Sequence, residues 1–168
     1  MKSRIVTDKD PGMVKAILAM EDLFPKKVGY GEWDVWDNLQ NLNNMNIIVE
    51  DDDGNIIGYT LCIPQVEAVE YLKDEDPLMT KSIDMAYVDQ VAILKECREG
   101  SHAVLSFLLE ALMVEGRKKG YKKWSSHIVM GLNLLIERIY KSSIIKEKTR
   151  TVKMPSYDCS FVYMEGVA

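Results

Sequence analysis

Histidine and cysteine are scarce in this sequence, and their scarcity argues against several kinds of site. The chain has 168 residues, of which two are histidines, His102 and His127, and three are cysteines, Cys62, Cys97 and Cys159. Neither histidine has a nucleophile and an acid at a spacing that indicates a Ser-His-Asp triad. The cysteines are odd in number and lack the spacing of a disulfide framework or a zinc site. We therefore expect reduced thiols, as in a cytoplasmic protein.

Long apolar runs are also absent. No run approaches the roughly 18–20 residues that a membrane span requires, and the N-terminus lacks the basic and then apolar segments of a signal peptide. The net charge of −5 argues against nucleic acid as a partner. With 168 residues, 47% of them hydrophobic, we expect one cytoplasmic domain, residues 1–168, with its own core and no membrane partner.

Three consecutive aspartates, Asp51 to Asp53, do not predict a metal site. They precede Gly54, and Asp-Gly between two apolar runs is a strong hairpin signal. The stretch also lacks the alternating ligands and terminal glutamate of a calcium loop. We therefore interpret these residues as a solvated turn and expect no bound metal.

A strand followed by a long helix organises the rest of the chain. Residues 85–94 are dense in β-branched and apolar side chains, which predicts a strand, and residues 102–119 predict a helix that Gly120 ends. The connecting residues 95–101 are short and include Arg98 and Gly100. A helix N-terminus in this position offers free N–H groups and the positive end of the helix dipole, which favours binding of a phosphate.

Hydrophobic periodicity predicts the remaining elements. Helices are predicted over residues 10–23, 32–43 and 133–140. Strands are predicted over residues 3–6, 47–50, 56–63, 124–130, 144–154 and 157–164. Residues 64–81 are predicted to be a polar connection, which is long for a link between strands. This pattern is typical of an α/β or α+β protein with a mixed sheet.

The turn before the long helix resembles the signature of the GNAT superfamily, the acetyl-CoA-dependent N-acetyltransferases. That signature reads Gln/Arg-x-x-Gly-x-Gly/Ala. Arg98 takes its first position, Ser101 stands where the central glycine is expected, and Ala103 takes the last. The order of the elements over the whole chain is similar as well. The resemblance implies a mixed, mostly antiparallel central sheet of about six to seven strands, flanked by about four helices and splayed between the fourth and fifth strands.

The resemblance also implies acetyl-CoA as the acetyl donor. In the family the turn binds the pyrophosphate, the end of the fourth strand pairs with pantetheine, and a backbone N–H near Val91 polarises the thioester carbonyl. An asparagine on the following helix helps to hold pantetheine. The implied donor-binding residues are Val91, Ala92, Ile93, Arg98, Glu99, Gly100, Ser101, His102, Ala103 and Asn133.

Two side chains match the chemistry that the family requires. Tyr140 follows Asn133 by seven residues, on the same helix face, and a phenol with a pKa of about 10 can protonate the leaving thiolate. Strand alternation places Asp89 on one face with Val91 and Tyr87. In the family this face looks into the acceptor site, so the resemblance implies that Asp89 serves as general base or holds the amine electrostatically. Structural alternatives stay open: Tyr140 as a core tyrosine, Asn133 as a helix cap, and Asp89 as a carboxylate satisfied by its neighbours.

The amine acceptor is less constrained. In the family pattern the two early helices border its site, so Phe24, Tyr30, Trp33 and Tyr87 are candidate lining residues, with packing of the helices as the alternative. We predict an N-acetyltransferase that transfers acetyl to a small-molecule or peptide amine by direct attack. The alternative, which Ser101 motivates, is a catalytically degenerate GNAT-fold protein that binds CoA or a protein partner. Pairing of the final strand into a homodimer is also left open.

Overall fold

The computed structural model describes residues 1–10, 12–21, 29–97 and 102–168, which contain seven β-strands and five α-helices. The strands are β1 (Lys2–Ile5), β2 (Ile47–Glu50), β3 (Ile56–Pro64), β4 (Met85–Ile93), β5 (Lys123–Val129), β6 (Arg150–Lys153) and β7 (Ser160–Val167). Within these ranges the α-helices are α1 (Met13–Glu21), α2 (Glu32–Gln40), α3 (Gln65–Leu72), α4 (His102–Lys118) and α5 (Asn133–Tyr140).

The strands form a mixed sheet in the order β1-β2-β3-β4-β5-β7-β6. β4 and β5 are parallel, whereas β1–β2, β2–β3, β5–β7 and β6–β7 are antiparallel. The parallel ladder joins Met85–Tyr87 to residues 123–125. At the next position the Ser126 hydroxyl donates to the Val88 carbonyl at 2.7 Å, so the hydrogen bond to β4 there comes from a side chain. The predicted mixed, mostly antiparallel sheet is confirmed.

The connection between β3 and β4 differs from the prediction, because it contains a helix. The resemblance implied about four helices, and α3 is a fifth among the residues that the structure describes. Its buried stripe consists of Gln65, Ala68 and Leu72. A stripe with only two apolar members, interrupted by Glu67 and Glu70, gives too weak a helical period to be recognised in the sequence.

The predicted strand over residues 144–154 is shorter in the structure. Ile144 forms only an isolated bridge, to Gly166. A 3-10 turn follows at Lys146–Lys148, closed by the Lys148 N–H on the Ile145 carbonyl at 3.0 Å. The turn is exposed and highly charged, which suits it to solvent better than to a sheet, and β6 begins only at Arg150.

The chain divides into two compact units. The first comprises Met1–Cys62 and Gln90–Glu115. Its core brings α1, α2 and the neighbouring strands together around side chains that are at most 1% exposed, including Ile17, Leu39 and Tyr59. Burial of these large apolar groups is the main source of this unit's stability.

The second unit comprises Ile63–Asp89 and Gly116–Ala168. In its core, Ala68 and Leu72 of α3 belong to the same cluster as Tyr87, Phe161 and Tyr163. Elsewhere in this unit, Gly166 lies against the Trp124 indole so closely that a Cβ atom would come within 2.4 Å of the ring. Only glycine fits at that point of β7.

Candidate functional site

The end of β4 is fixed on both faces within the first unit. Ala92 is 4% exposed and belongs to the core that α1 and α2 share. Val91 and Ile93 are half-buried and pack against the cluster that includes Val104 and Leu108 of α4. Past the strand, the Leu94 N–H donates to the Ile57 carbonyl at 3.0 Å. The last residues of β4 are therefore packed on both faces within the first unit.

A glycine allows α4 to lie close to this strand end. A Cβ atom on Gly58 would lie 3.2 Å from the Ala92 carbonyl oxygen and 3.5 Å from side-chain carbons of Val104 and Leu108. Ala103, in the first turn of α4, is exposed. The strand end and the start of a 17-residue helix are thus neighbours, as a phosphate-binding turn requires.

Several predicted site residues lie outside the described ranges. These are Arg98, Glu99, Gly100, Ser101 and Phe24. His102 is described only as the first residue of α4.

Two of the predicted acceptor residues, Tyr30 and Trp33, differ in exposure. Tyr30 packs against the core of the first unit, whereas Trp33, on α2, is 79% exposed. Tyr30 therefore has a packing role, and the Trp33 ring is open to solvent.

Asp89 lies beside two tyrosines within the second unit. The Tyr71 hydroxyl, from α3, donates to Asp89 Oδ1 at 3.3 Å. Tyr157, from the connection between β6 and β7, is half-buried, and its pKa is raised by burial first, then by Tyr71, Asp89 and Glu75. The carboxylate predicted to serve the amine thus accepts a hydrogen bond from a phenol of α3.

Tyr87 is buried rather than open to a substrate. It is 3% exposed, and its hydroxyl lies 2.9 Å from His127 Nδ1. The other ring nitrogen, Nε2, lies 2.8 Å from Asp76 Oδ2. A carboxylate can only accept, so Nε2 carries the hydrogen and Nδ1 accepts from Tyr87. The pKa of His127 is lowered, mainly by burial, although Asp76 has the opposite effect. The ring is therefore neutral near pH 7.

Asp76 also anchors a second branch of this network. Arg150 Nη2 lies 2.7 Å from the same Oδ2 atom, and the guanidinium carbon lies 4.1 Å from the centre of the Tyr163 ring. The Tyr163 hydroxyl donates to Glu165 at 2.9 Å and accepts from the Gln65 amide at 3.2 Å. The network therefore links α3 and the segment that follows it to β5, β6 and β7.

Sequence analysis did not predict this network. Tyr87 and His127 are 40 residues apart, and His127 and Asp76 are 51 residues apart. No local pattern connects groups at such separations. The one usable signal was the scarcity of histidine, which makes a histidine on a buried strand notable.

Asn133 and Tyr140 lie at opposite ends of α5. Asn133 accepts the Gly131 N–H and donates to Glu137, both at 2.9 Å, so its amide is engaged within this segment. It also lines a cavity of about 500 Å³, with Met130 and Leu134 among the other lining residues. The Tyr140 hydroxyl oxygen is shielded from solvent. Asn133 thus closes the turn before α5 and does not cap the helix, because its oxygen accepts from Gly131 rather than from an N–H of α5.

Two general searches of the described ranges gave no candidates. No group of three or more His, Cys, Asp and Glu side chains in these ranges is arranged to hold a metal ion. Within the same ranges, every helix is too short or too polar to cross a bilayer.

The fold matches solved acetyltransferases, although no family model and no curated protein matches the sequence. Ribosomal-protein-alanine N-acetyltransferase from Brucella melitensis is similar with a TM-score of 0.69 and 16% identity, over 100% of both chains. A chain of the NatC complex bound to Gag peptide and CoA gives 0.73 and 12%, over 99% of this chain and 98% of that one. Aminoglycoside 6'-acetyltransferase type Ii gives 0.68 and 13%, over 99% and 97%. The chain therefore has the GNAT fold.

Proposed function

We propose that this protein is an N-acetyltransferase that transfers the acetyl group of acetyl-CoA to an amine by direct attack. The observation that supports this proposal best is that the end of β4 and the start of α4 lie close together, which Gly58 allows. These are the strand and the helix on either side of the phosphate-binding turn of the GNAT fold. The similar solved structures support this reading, since they are named as enzymes that acetylate a ribosomal protein or an aminoglycoside.

The described residues fit the donor. Exposed Ala103 at the start of α4 leaves room for a pyrophosphate at the helix N-terminus. The backbone of Val91 to Ile93, which the resemblance implies binds the donor, is packed on both faces. A backbone N–H that is held in place before the reaction can polarise the thioester carbonyl. When bound, acetyl-CoA supplies the activated acetyl group as a thioester. Arg98 and the neighbouring turn residues complete this proposed site.

The proposed transfer chemistry uses two side chains of the second unit. An amine with a pKa of about 10.4 is mostly protonated near neutral pH, so it must lose a proton before attack. We assign that role to Asp89, which receives the proton directly or through a water molecule. Tyr140 donates its hydroxyl proton toward the leaving thiolate sulfur.

The test is acetyl transfer to a panel of amines that includes small polyamines, an aminoglycoside and peptides with free N-termini. Release of the CoA thiol is followed continuously, and mass spectrometry checks that the product has gained one acetyl group. We expect transfer to at least one acceptor, with the kcat lowered about 100-fold in Tyr140→Phe. Tyr121→Phe, on the loop after α4, is the matched control.

The outcome separates the two hypotheses from the sequence. Binding of acetyl-CoA without transfer to any amine, unaltered by Tyr140→Phe, supports a catalytically degenerate GNAT-fold protein. Failure to bind acetyl-CoA contradicts the enzyme and the CoA-binding alternative, and leaves only the alternative in which the fold binds a protein partner.

A further inference from the structure

In the described part of the chain, the sheet ends in β1 on one side and in β6 on the other. β7, the strand left open for pairing with a second copy, lies between β5 and β6 and is paired on both sides. β6 contains Arg150 and Lys153, and two copies joined there would set basic side chains against each other. The edge of β1 is therefore the one that suits a second copy of the chain.

β1 directs backbone hydrogen-bonding groups away from the sheet. The Val6 N–H donates to the Asn46 carbonyl at 2.9 Å, which continues the antiparallel register that places Ile5 opposite Ile47. Bonded and non-bonded residues alternate in such a pair of strands. The N–H and C=O groups of Ser3 and Ile5 therefore point away from β2. An edge of this kind is a template for a strand of another chain.

Charged side chains often protect a sheet edge against such pairing, but those of β1 are balanced within one copy. Arg4 donates to Asp10 at 2.7 Å and to Glu50 at 3.2 Å. Lys2 lies opposite Glu50 in the ladder with β2. A second copy can therefore approach this edge without meeting an uncompensated charge of its own sign on Arg4.

The middle of α4 borders a groove beside the same edge. A cavity of about 270 Å³ lies between β1, β2 and α4. Its apolar lining residues are Ile5, Ile47, Phe107, Ala111 and Val114. Ile5 is 41% exposed and Val114 is 47% exposed. One copy of the chain thus leaves large apolar groups of this groove in contact with water, and association would bury them.

α4 is complementary to itself about Val114. Glu110 precedes Val114 by four residues and Lys118 follows it by four, so the three side chains lie along one side of the helix. In an antiparallel pair of α4 helices centred on Val114, Glu110 of each copy lies opposite Lys118 of the other. The two ends of this helix surface therefore carry opposite charges, and its centre is apolar.

The spacing of the elements fits the same arrangement. Neighbouring strands lie about 4.8 Å apart. If two β1 edges meet as neighbouring strands, two helices that each lie beneath their own β1 and β2 are about 10 Å apart. Packed helices lie about 8–10 Å apart, so the sheet edges and the helices can meet at the same time.

We propose that β1 and α4 form the interface of a homodimer, in which two copies meet about a two-fold axis with their β1 edges paired and their α4 helices antiparallel. A two-fold interface uses the same surface on both copies, and the charges of α4 meet that condition. The inference does not depend on the proposed function, because it uses none of the residues assigned to acetyl transfer.

Sedimentation velocity of the full chain over a wide range of concentration tests the dimer. Glu110→Lys and Lys118→Glu each set like charges opposite one another, so we expect either variant to raise the dimer dissociation constant at least about tenfold. The double variant restores opposite charges and should regain the dimer. Glu147→Lys, which makes the same charge change at the exposed turn before β6, is the matched control and should stay dimeric. Circular dichroism checks that each variant is folded.

Hydrogen exchange locates the interface. We expect the amides of Ser3 and Ile5 to exchange more slowly at high protein concentration than at low, and this protection to be lost in Glu110→Lys. A monomer at every concentration overturns the proposal and would indicate that the groove accepts a different chain. A dimer that Glu110→Lys leaves intact, or one whose β1 amides stay unprotected, overturns this surface as its interface.

Discussion

At the residue scale, Asp76 carries the most interactions of any buried carboxylate in the second unit. It is 3% exposed and serves both His127 and Arg150 through the same oxygen. Removing one partner of a buried charged pair leaves the other partner uncompensated. The stability of this unit therefore depends on a residue with no catalytic assignment.

Asp76→Asn tests this dependence. The amide cannot neutralise the Arg150 guanidinium, so we expect the free energy of unfolding to fall by about 2–4 kcal/mol, measured by urea denaturation. Asp53→Asn, at the exposed hairpin, should change it by less than about 0.5 kcal/mol. Equal effects of the two substitutions would mean that the buried pair contributes nothing.

Tyr140 and Asp89 were chosen from spacing and alternation together with the family resemblance, and their catalytic roles stay predictions. The sequence displays spacing and alternation because helix and strand periods are local properties. It could not identify the surroundings of Asp89, because Tyr71 and Asp89 are 18 residues apart and their contact depends on how α3 packs. Similarly, the partners of His127 come from separate elements, and no local sequence pattern indicates that these elements are neighbours.

At the element scale, the approach of α4 to β3 and β4 depends on Gly58. Added bulk there meets the Ala92 carbonyl oxygen at 3.2 Å, and a backbone atom moves less easily than a flexible side chain.

Gly58→Ala should lower the free energy of unfolding by about 1–2 kcal/mol and weaken binding of acetyl-CoA. Chemical denaturation and calorimetry measure the two effects. Asp53→Asn, at the exposed hairpin, is the control and should change neither quantity. A Gly58→Ala protein with unaltered stability would show that the close approach is not required.

The strand–turn–helix unit was predicted correctly at β4 and α4, since a dense apolar strand and an amphipathic helix have clear periods. The segment over residues 144–154 was predicted as one strand, and the structure corrects it. Ile144 and Ile145 favour a strand by composition, but the charged Lys146–Lys148 stretch turns away from the sheet. Composition gives a residue's preference, whereas the turn is closed by backbone hydrogen bonds within residues 145–149.

At the scale of the whole molecule, stability should fall in acid in two steps. The pKa of His127 is lowered mainly by burial, so the unfolded chain binds its proton first as the pH drops below about 6.5. The stability that neutral His127 contributes is fully present above about pH 6.5 and is lost as the pH falls through the lowered pKa of His127 in the folded protein. The pKa of Asp10 is also lowered, chiefly by its hydrogen bond from the Thr7 N–H, and its contribution is lost below about pH 4.

Urea denaturation over a range of pH measures this dependence. One proton gives a slope of at most about 1.4 kcal/mol per pH unit. We expect His127→Gln to remove the step below about pH 6.5 and to retain the more acidic one. If the variant and the unmodified protein show the same pH dependence, His127 does not titrate with unfolding.

The central claim is that the GNAT fold of this chain holds acetyl-CoA. Calorimetric titration of the full chain with acetyl-CoA tests it most directly, with Ser101→Asp as the companion variant because it adds a negative charge at the turn proposed to bind the pyrophosphate. The account predicts micromolar binding of one acetyl-CoA per chain and its loss in Ser101→Asp. No binding at millimolar acetyl-CoA would contradict the account.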